Sequence, residues 1–373
     1  MEVRIMLKRF SVKNYKNFKD KIELDLSNKK DYKFNSNVIK NDLLTKIGIF
    51  GANGSGKTNF GLALFDIVLH LVDKENQKIQ YNFYLNADSD ESYAEFTYIF
   101  LFNDDTIQYT YKKLDAKTLI YEELFLNEKK VFSYNLKSGK KDLANMHLIE
   151  AENLNYTLKD KTISMVRYIA NNGALSDKST FMKMMKFISN MLWFRSIGFN
   201  AYIGYMRGPE ELTSSIINNG LVEKFNKFLI QCKLNYNLFV ATDPTGNKIL
   251  MNKYQQRDLP FWQTASNGTH ALTLFFYWKH KFKDIPFIFI DEFDAFFHYE
   301  LAETLIRELS KQKDIQIIFT SHNTSLLKNS ILRPDCYFTI QDNNLTSFVN
   351  KTEREIREAH NLEKLYRQGE FRD

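Results

Sequence analysis

Gly51-Ala52-Asn53-Gly54-Ser55-Gly56-Lys57-Thr58 follows directly on the apolar run Ile47-Gly48-Ile49-Phe50. A strand that turns through closely spaced glycines into a helix aims successive backbone N–H groups at a phosphate, and the helix N-terminus adds positive partial charge. In the spacing G-x-x-x-x-G-K-[ST], Lys57 reaches the β- and γ-phosphates and the Thr58 hydroxyl ligates Mg²⁺. Phe60, Ala63, Leu64, Ile67, Val68 and Leu71 recur at helical spacing behind the loop, which supplies the strand–loop–helix context this P-loop chemistry requires. ATP and Mg²⁺ are the expected cofactors, with Asn53, Gly54, Ser55, Gly56, Lys57 and Thr58 around the phosphates.

A second set of residues stands near the C-terminus. Pro286 precedes Phe287-Ile288-Phe289-Ile290, and the run ends in Asp291-Glu292. A buried parallel strand that ends in two carboxylates is the Walker B arrangement: Asp291 stands beside the Mg²⁺ shell and Glu292 orients the attacking water. One strand further on, Ile315 to Thr320 runs into Ser321-His322, where His322 can donate a hydrogen bond to the γ-phosphate. Lys57, Glu292 and His322 are the catalytic candidates, and Thr58 and Asp291 the metal ligands. Before Walker B, Thr264-Ala265-Ser266-Asn267-Gly268-Thr269 opens an apolar helix from Ala271. A polar cap on a helix start is a second anion site.

The elements that must position these groups follow the order of the chain. Ile5, Leu7, Phe10 and Val12, then Ile22, Leu24 and Leu26, alternate as two strands joined by a polar segment. The P-loop helix is expected to run to Val72 and to fade into a surface loop at Asp73 to Lys78. Tyr93 to Phe102 and Thr106 to Lys112 form a hairpin around Asn103-Asp104-Asp105, extended by Ile120 to Leu126 and Val131 to Tyr134. From about 140 to 235 the apolar spacing lengthens to three and four, through Met182, Met185, Phe187, Ile188, Met191 and Leu192 and again through Leu221, Phe225, Phe228 and Leu229. That stretch is expected to be mainly helical, its methionines and aromatics filling the core. Thr242 to Asn247 is a turn in a small hairpin between Phe239 and Met251. A helix over Tyr299 to Ser310, a strand around Cys336 to Ile340 and a charged helix around Glu353 to Tyr366 complete the chain. The fold class is α/β, a P-loop NTPase with residues 1–138 and 286–373 as the nucleotide-binding lobe and 139–285 as a helical lobe.

Composition narrows the setting. With 373 residues and 44% hydrophobic content the chain can bury a sizeable core. A net charge of +6 permits contact with nucleic acid without demanding it, and the short runs Lys112-Lys113 and Lys140-Lys141 are expected on a solvated face. Cys232 and Cys336 are far apart and fit no metal-ligand or redox spacing. No stretch has the length and apolarity of a membrane span or the core of a signal peptide, so a cytoplasmic protein without a membrane partner is expected.

The order P-loop, helical segment, Ser-Asn-Gly-Thr, Asp291-Glu292, His322 resembles the ABC-type ATPase heads of the SMC, RecF and OLD class. More closely, the chain resembles the stand-alone AAA-family, ABC-like ATPases of bacterial anti-phage defence and abortive-infection operons. The supporting residues are Gly51 through Asn59, Tyr109 and Tyr111 before Ile120-Tyr121-Glu122-Glu123-Leu124, Asp291-Glu292-Phe293-Asp294 with His298, Thr320-Ser321-His322-Asn323, and Asn361 to Tyr366 with Gly369. The resemblance implies an ABC-type head with a mixed sheet lobe and an inserted helical lobe, which dimerises around ATP. Asn59 joins the nucleotide-binding set, Ser266 and Gly268 touch the γ-phosphate of the partner's ATP, and Asp294 lies at the dimer seam. Ser-Asn-Gly-Thr departs from the transporter form Leu-Ser-Gly-Gly-Gln, and no glutamine is assigned to the Q-loop. His298 fits a family histidine after Walker B, although packing or helix capping accounts for it equally well.

Without heptads between Lys57 and Ser266 the head works without a long coiled-coil arm. Only 51 residues follow His322, too few for a fused nuclease domain, so any effector activity, a nuclease or a toxin, is expected from a separate chain. The function implied is an ATP-driven dimerising switch in antiviral defence, acting as a homodimer or higher homo-oligomer. The rival readings are a RecF- or SMC-like ATPase that binds DNA in repair and an ATP-bound oligomeric scaffold.

Overall fold

A computed structural model describes residues 5–72, 83–157, 163–196, 201–205 and 211–371. Two seven-stranded sheets dominate it. The first is antiparallel, in the spatial order Lys141–Asp142, Lys129–Asn135, Leu119–Leu126, Asp105–Lys113, Ala94–Phe102, Met6–Lys13, Ile22–Asp25. Ala94–Phe102 buries every second residue, the signature of a strand with one face on the core.

The second sheet runs Tyr202–Gly204, Leu192–Arg195, Phe287–Asp291, Gln316–Ser321, Lys46–Phe50, Tyr337–Gln341, Asn344–Ser347. Its inner pairs are parallel. Lys46–Phe50, Phe287–Asp291 and Gln316–Ser321 are buried at every residue, as strands covered on both faces must be.

The P-loop helix, Lys57–Leu64, lies between the sheets. On one side Phe60 meets Phe10 of the antiparallel sheet at 5.6 Å between ring centroids. On the other, Gly61 lies so near the parallel sheet that a Cβ there would come within 2.6 Å of the Phe289 ring and 3.0 Å of the Trp193 indole nitrogen. The glycine therefore sets how closely the helix approaches the Walker B strand. The sheets are also tied directly, by the Gln316 side chain. Its amide donates to Leu7 O at 2.8 Å and its Oε1 accepts from Leu7 N at 2.7 Å, where the register of Met6–Lys13 shifts against Ala94–Phe102 and leaves that peptide free to bond outside its own sheet.

The helix expected through Val72 is instead two, Lys57–Leu64 and Asp66–Val72. The Tyr98 hydroxyl, within 3.0 Å of Ala63 O and 3.2 Å of Leu64 O, satisfies carbonyls at the end of the first helix. Asp66 opens the second and is buried with Lys113, Nζ lying 3.0 Å from Oδ2 and the side chains 1% and 2% exposed. Tyr84 and Tyr111 donate to its two oxygens at 2.9 and 2.8 Å. Lys113 is thus a core cation, not part of a solvated face. Tyr109, on the same face of its strand, donates instead to Glu122 at 2.9 Å. Glu122 also accepts from the Ser164 hydroxyl and the Met165 N–H at the start of the helix Met165–Asn172.

Two further expectations meet a different outcome. The stretch expected to be mainly helical holds Met165–Asn172, Thr180–Ser189, Leu212–Asn218 and Val222–Gln231, but Leu192–Arg195 and Tyr202–Gly204 between them are strands of the parallel sheet. A short apolar run such as Met191 to Phe194 fits either period, and its burial beside Walker B settles it as a strand. The C-terminal charged helix shrinks to Leu362–Arg367. The Asn329 amide collects the carbonyls of Arg357, Glu358 and His360, an arrangement that a helical ladder does not allow. The polar segment from Asp73 to Lys78 lies outside the described residues. The small hairpin is present as Leu238–Thr242 and Lys248–Asn252, its turn held by the Asp243 carboxylate on the N–H groups of Thr245 and Asn247. Cys232 and Cys336 are free thiols. Among the described residues no helix is long and apolar enough to cross a membrane.

Candidate active site

Parallel pairing sets the ends of three strands side by side, with Ser321 level with Phe50 and Ile290 level with Phe319. The P-loop, Asp291-Glu292 and His322 therefore emerge together at the carboxyl ends of these strands, the place where open α/β sheets bind ligands.

Two loop glycines have positive φ, +78° at Gly54 and +101° at Gly56, a region costly for other residues. Gly56 is also the Ncap of the P-loop helix, and a Cβ there would lie 2.4 Å from Asn17 Nδ2. Asn53 and Gly54 are exposed at the mouth of the loop. Lys57 is folded back into it, donating to Gly51 O at 2.8 Å and Ala52 O at 2.9 Å, with Ser55 Oγ at 3.5 Å. Burial pushes its amine down to about 8, against the opposing pull of Asp291, Glu292 and Asp294. His322 Nδ1 stands 2.9 Å from Gly51 O and 3.3 Å from Lys57 Nζ. A carbonyl can only accept, so the shorter contact selects the Nδ1–H tautomer.

The Thr58 hydroxyl donates to Asp291 Oδ2 at 2.9 Å, and the Thr320 hydroxyl to Oδ1 at the same distance. Burial raises the Asp291 carboxyl above its ordinary range, while Thr58, the charge of Arg195 and Thr320 work against the rise. Thr320 also accepts the Glu292 N–H at 2.8 Å, so one hydroxyl braces both carboxylate residues. Glu292 adopts φ +51°, a conformation that a non-glycine residue seldom holds without support. Its side chain meets Arg195, with Nε at 3.0 Å and Nη2 at 2.8 Å from Oε2.

No hydrogen bond joins Ser266 or Gly268 to residues 51–59. Ser266 is the exposed Ncap of Asn267–Lys279 and accepts from Thr269 N at 3.2 Å. Gly268 lies against the segment after Walker B, where a Cβ would sit 3.2 Å from Phe296 O. Asp294 is held within its own chain. Burial raises its carboxyl, and hydrogen bonds from Ser321 and Asn323 and the charge of His322 oppose this. His298 is an exposed Ncap without a side-chain cap bond, its ring on Tyr299 at 4.4 Å. Asn59 donates to Asn17 Oδ1 at 2.7 Å.

Sequence reasoning assigned nothing to Arg195, Thr320 or Asn17. Thr320 was legible as a hydroxyl one strand from Walker B. Arg195 carried no signal, because its strand was not recognised and Glu292 is 97 residues away in the chain.

The parallel order with the P-loop strand inside it, the carboxylates one strand beyond His322, and the antiparallel sheet closing over the P-loop helix define the class: a P-loop NTPase fold of the ABC type. Residues 237–328 match a family described as "AAA domain, putative AbiEii toxin, Type IV TA system". No curated protein matches the chain. Among solved structures, the chain is similar to the SMC head bound to the C-winged helix domain of ScpA, at 15% identity over 91% of this chain and 96% of that one, TM-score 0.46. It is similar also to the SMC head domain from Thermotoga maritima, at 16% identity over 91% and 98%, TM-score 0.44. RecF in the structure of RecF-ATP shows 13% identity over 92% and 99%, TM-score 0.40.

Proposed function

We propose that this chain is an Mg²⁺-dependent ATPase that works as an ATP-driven dimerising switch and controls a separate effector, a nuclease or toxin, in anti-phage defence. The observation that carries the catalytic part is the 2.9 Å contact of Thr58 Oγ1 with Asp291 Oδ2, with Glu292 next in the chain. A hydroxyl and a carboxylate oxygen form the hard donor pair that suits Mg²⁺, and the positive-φ glycines leave the loop backbone open to phosphate, so the residues present fit both groups. Bound ATP–Mg²⁺ supplies the transferable phosphoryl group with part of its charge neutralised.

Thr58 and Asp291 would hold the metal. Lys57 gives up the carbonyls of Gly51 and Ala52 for phosphate oxygens. Glu292 receives a hydrogen bond from the attacking water and aligns it, and His322 adds a donor beside the P-loop. Ser266, whose exposed helix start leaves it accessible, and Gly268 contact the ATP of a second copy, with Asp294 at the seam. Nucleotide then shifts the equilibrium between open and closed pairs by binding the closed one better. The matched family's description, which names a toxin system, and the resemblance of the motifs support the defence setting.

The test is the solution mass of Glu292→Gln with ATP–Mg²⁺ and without nucleotide, alone and with the product of the adjacent gene. A nucleotide-dependent dimer that retains the neighbour, and is lost in Ser266→Arg while ATP still binds, is expected. A mass indifferent to ATP would overturn the switch in favour of a scaffold, and salt-sensitive, ATP-dependent DNA binding without a protein neighbour would favour the repair reading.

A further inference from the structure

Arg195 is the last residue of the strand beside Walker B, and parallel pairing puts it level with Asp291. Its backbone is fixed on both sides: its N–H donates to Ala201 O at 3.2 Å, and the next N–H, of Ser196, donates to Asp291 O at 3.1 Å. The Arg195 side chain, 37% exposed, leans its guanidinium across the strand ends. Nε and Nη2 both reach Glu292 Oε2, at 3.0 and 2.8 Å, and Nε lies 3.6 Å from Asp291 Oδ2. Both contacts with Glu292 fall on one oxygen, so Oε1 carries neither.

Two features make this more than a surface ion pair. The Glu292 backbone is pinned by Thr320 at 2.8 Å in the left-handed region, so the direction of its Cβ is set and the carboxylate has only its own side-chain torsions left to lose. A rigid guanidinium fork removes those torsions, as an ammonium would do less well. The same guanidinium also faces the adjoining Asp291, so the fork is held across both strand-end carboxylates and cannot swing away from Glu292 without leaving Asp291.

We infer that Arg195 is a positioning residue for water activation: it anchors Glu292 through Oε2 and leaves Oε1 as the acceptor for the water that attacks the γ-phosphate. This rests on the proposed ATPase reading and deepens it. Arg195 touches neither nucleotide nor water in this account and acts through Glu292, so its loss slows the chemical step while the P-loop still holds ATP. Turnover then falls with little change in nucleotide affinity, the mark of an interaction made for the transition state and not for the ground state.

The experiment compares Arg195→Met, which keeps an apolar stem, Arg195→Gln, Glu292→Gln and the double variant Arg195→Met/Glu292→Gln. Each is followed by single-turnover hydrolysis, by binding of a fluorescent ATP analogue and by unhydrolysed ATP retained after desalting; melting curves identify folded variants. Expected is a fall in kcat of about tenfold or more in the Arg195 variants, analogue affinity within about threefold of the parent, retained ATP, and no further loss in the double variant. Turnover within about twofold of the parent, an affinity loss as large as the rate loss, or full additivity with Glu292→Gln would overturn the inference. If Glu292→Gln blocks turnover and Arg195 variants do not, only this inference falls. If Glu292→Gln turns over at the parent rate, the assigned role of Glu292 falls with it.

Discussion

The Thr58 hydroxyl donates to Asp291 Oδ2 across 2.9 Å, joining residues 233 positions apart in the chain. Each belongs to a different motif, and the contact forms because one strand, Gln316–Ser321, lies between theirs. Thr58→Ala removes the hydroxyl proposed to ligate Mg²⁺ but leaves the loop backbone intact. It is expected to weaken ATP binding about 10- to 100-fold in the presence of Mg²⁺ and little in EDTA, whereas Thr58→Ser keeps the dependence. Calorimetric titration with and without Mg²⁺ checks this; equal losses under both conditions would contradict it.

Lys57→Ala is expected to abolish ATP binding and Glu292→Gln to permit binding while blocking turnover. Equilibrium binding of a fluorescent analogue and phosphate release, measured on the same preparations, separate the two. Hydrolysis by Glu292→Gln at the parent rate would show that another group aligns the water.

Gly61 is the point where the P-loop helix meets Phe289 and Trp193. Gly61→Ala gains helix propensity of up to about 1 kcal/mol but must displace aromatic side chains, at a cost of about 1–3 kcal/mol. A net loss of stability is expected, together with weaker nucleotide binding as the helix start shifts. Denaturant unfolding beside ATP titration tests both, and a stabilised variant would show that the sheets yield there.

The buried pair Asp66–Lys113 fastens the second helix to the antiparallel sheet. Lys113→Met leaves the Asp66 carboxylate buried with only the hydroxyls of Tyr84 and Tyr111, and a loss of about 3–5 kcal/mol is expected. Adding Asp66→Asn removes the orphaned charge and should recover part of that loss. A double variant less stable than Lys113→Met by urea titration would rule out charge burial as the cause.

Lys46, on the P-loop strand, donates to Ile315 O at 2.8 Å and Thr45 Oγ1 at 3.2 Å, and burial lowers its amine from 10.5 to about 7. Between those values the unfolded chain binds the extra proton, so stability rises with pH there, by roughly 1.4 kcal/mol per unit for this group alone. The burden is full below about pH 7 and is relieved as pH approaches 10.5. Lys46→Met should therefore stabilise the protein most at pH 6 to 7, with the advantage over the parent shrinking by pH 9. Unfolding curves at both pH values check the sign.

The sequence by itself determined the elements whose signals are local. Gly51 to Thr58 fits only a loop with unusual backbone angles, the apolar run before Asp291 is a buried strand, and Tyr299 to Ser310 is a helix at the same bounds in both readings, because short-range periodicity and glycine geometry need no partner to be read. Where the signal depended on a neighbour, the tertiary structure decided. Leu192–Arg195 became a strand because the Walker B strand offers it a parallel edge. The P-loop helix ended at Leu64 where Tyr98 takes its carbonyls, and the tail stayed irregular from Glu353 to Asn361, where Asn329 binds it, before its short helix. Arg195 gained its place beside Glu292 in the same way: an ion pair between residues far apart in the chain leaves no periodicity, and only the pairing of strands brings its charges within 3 Å.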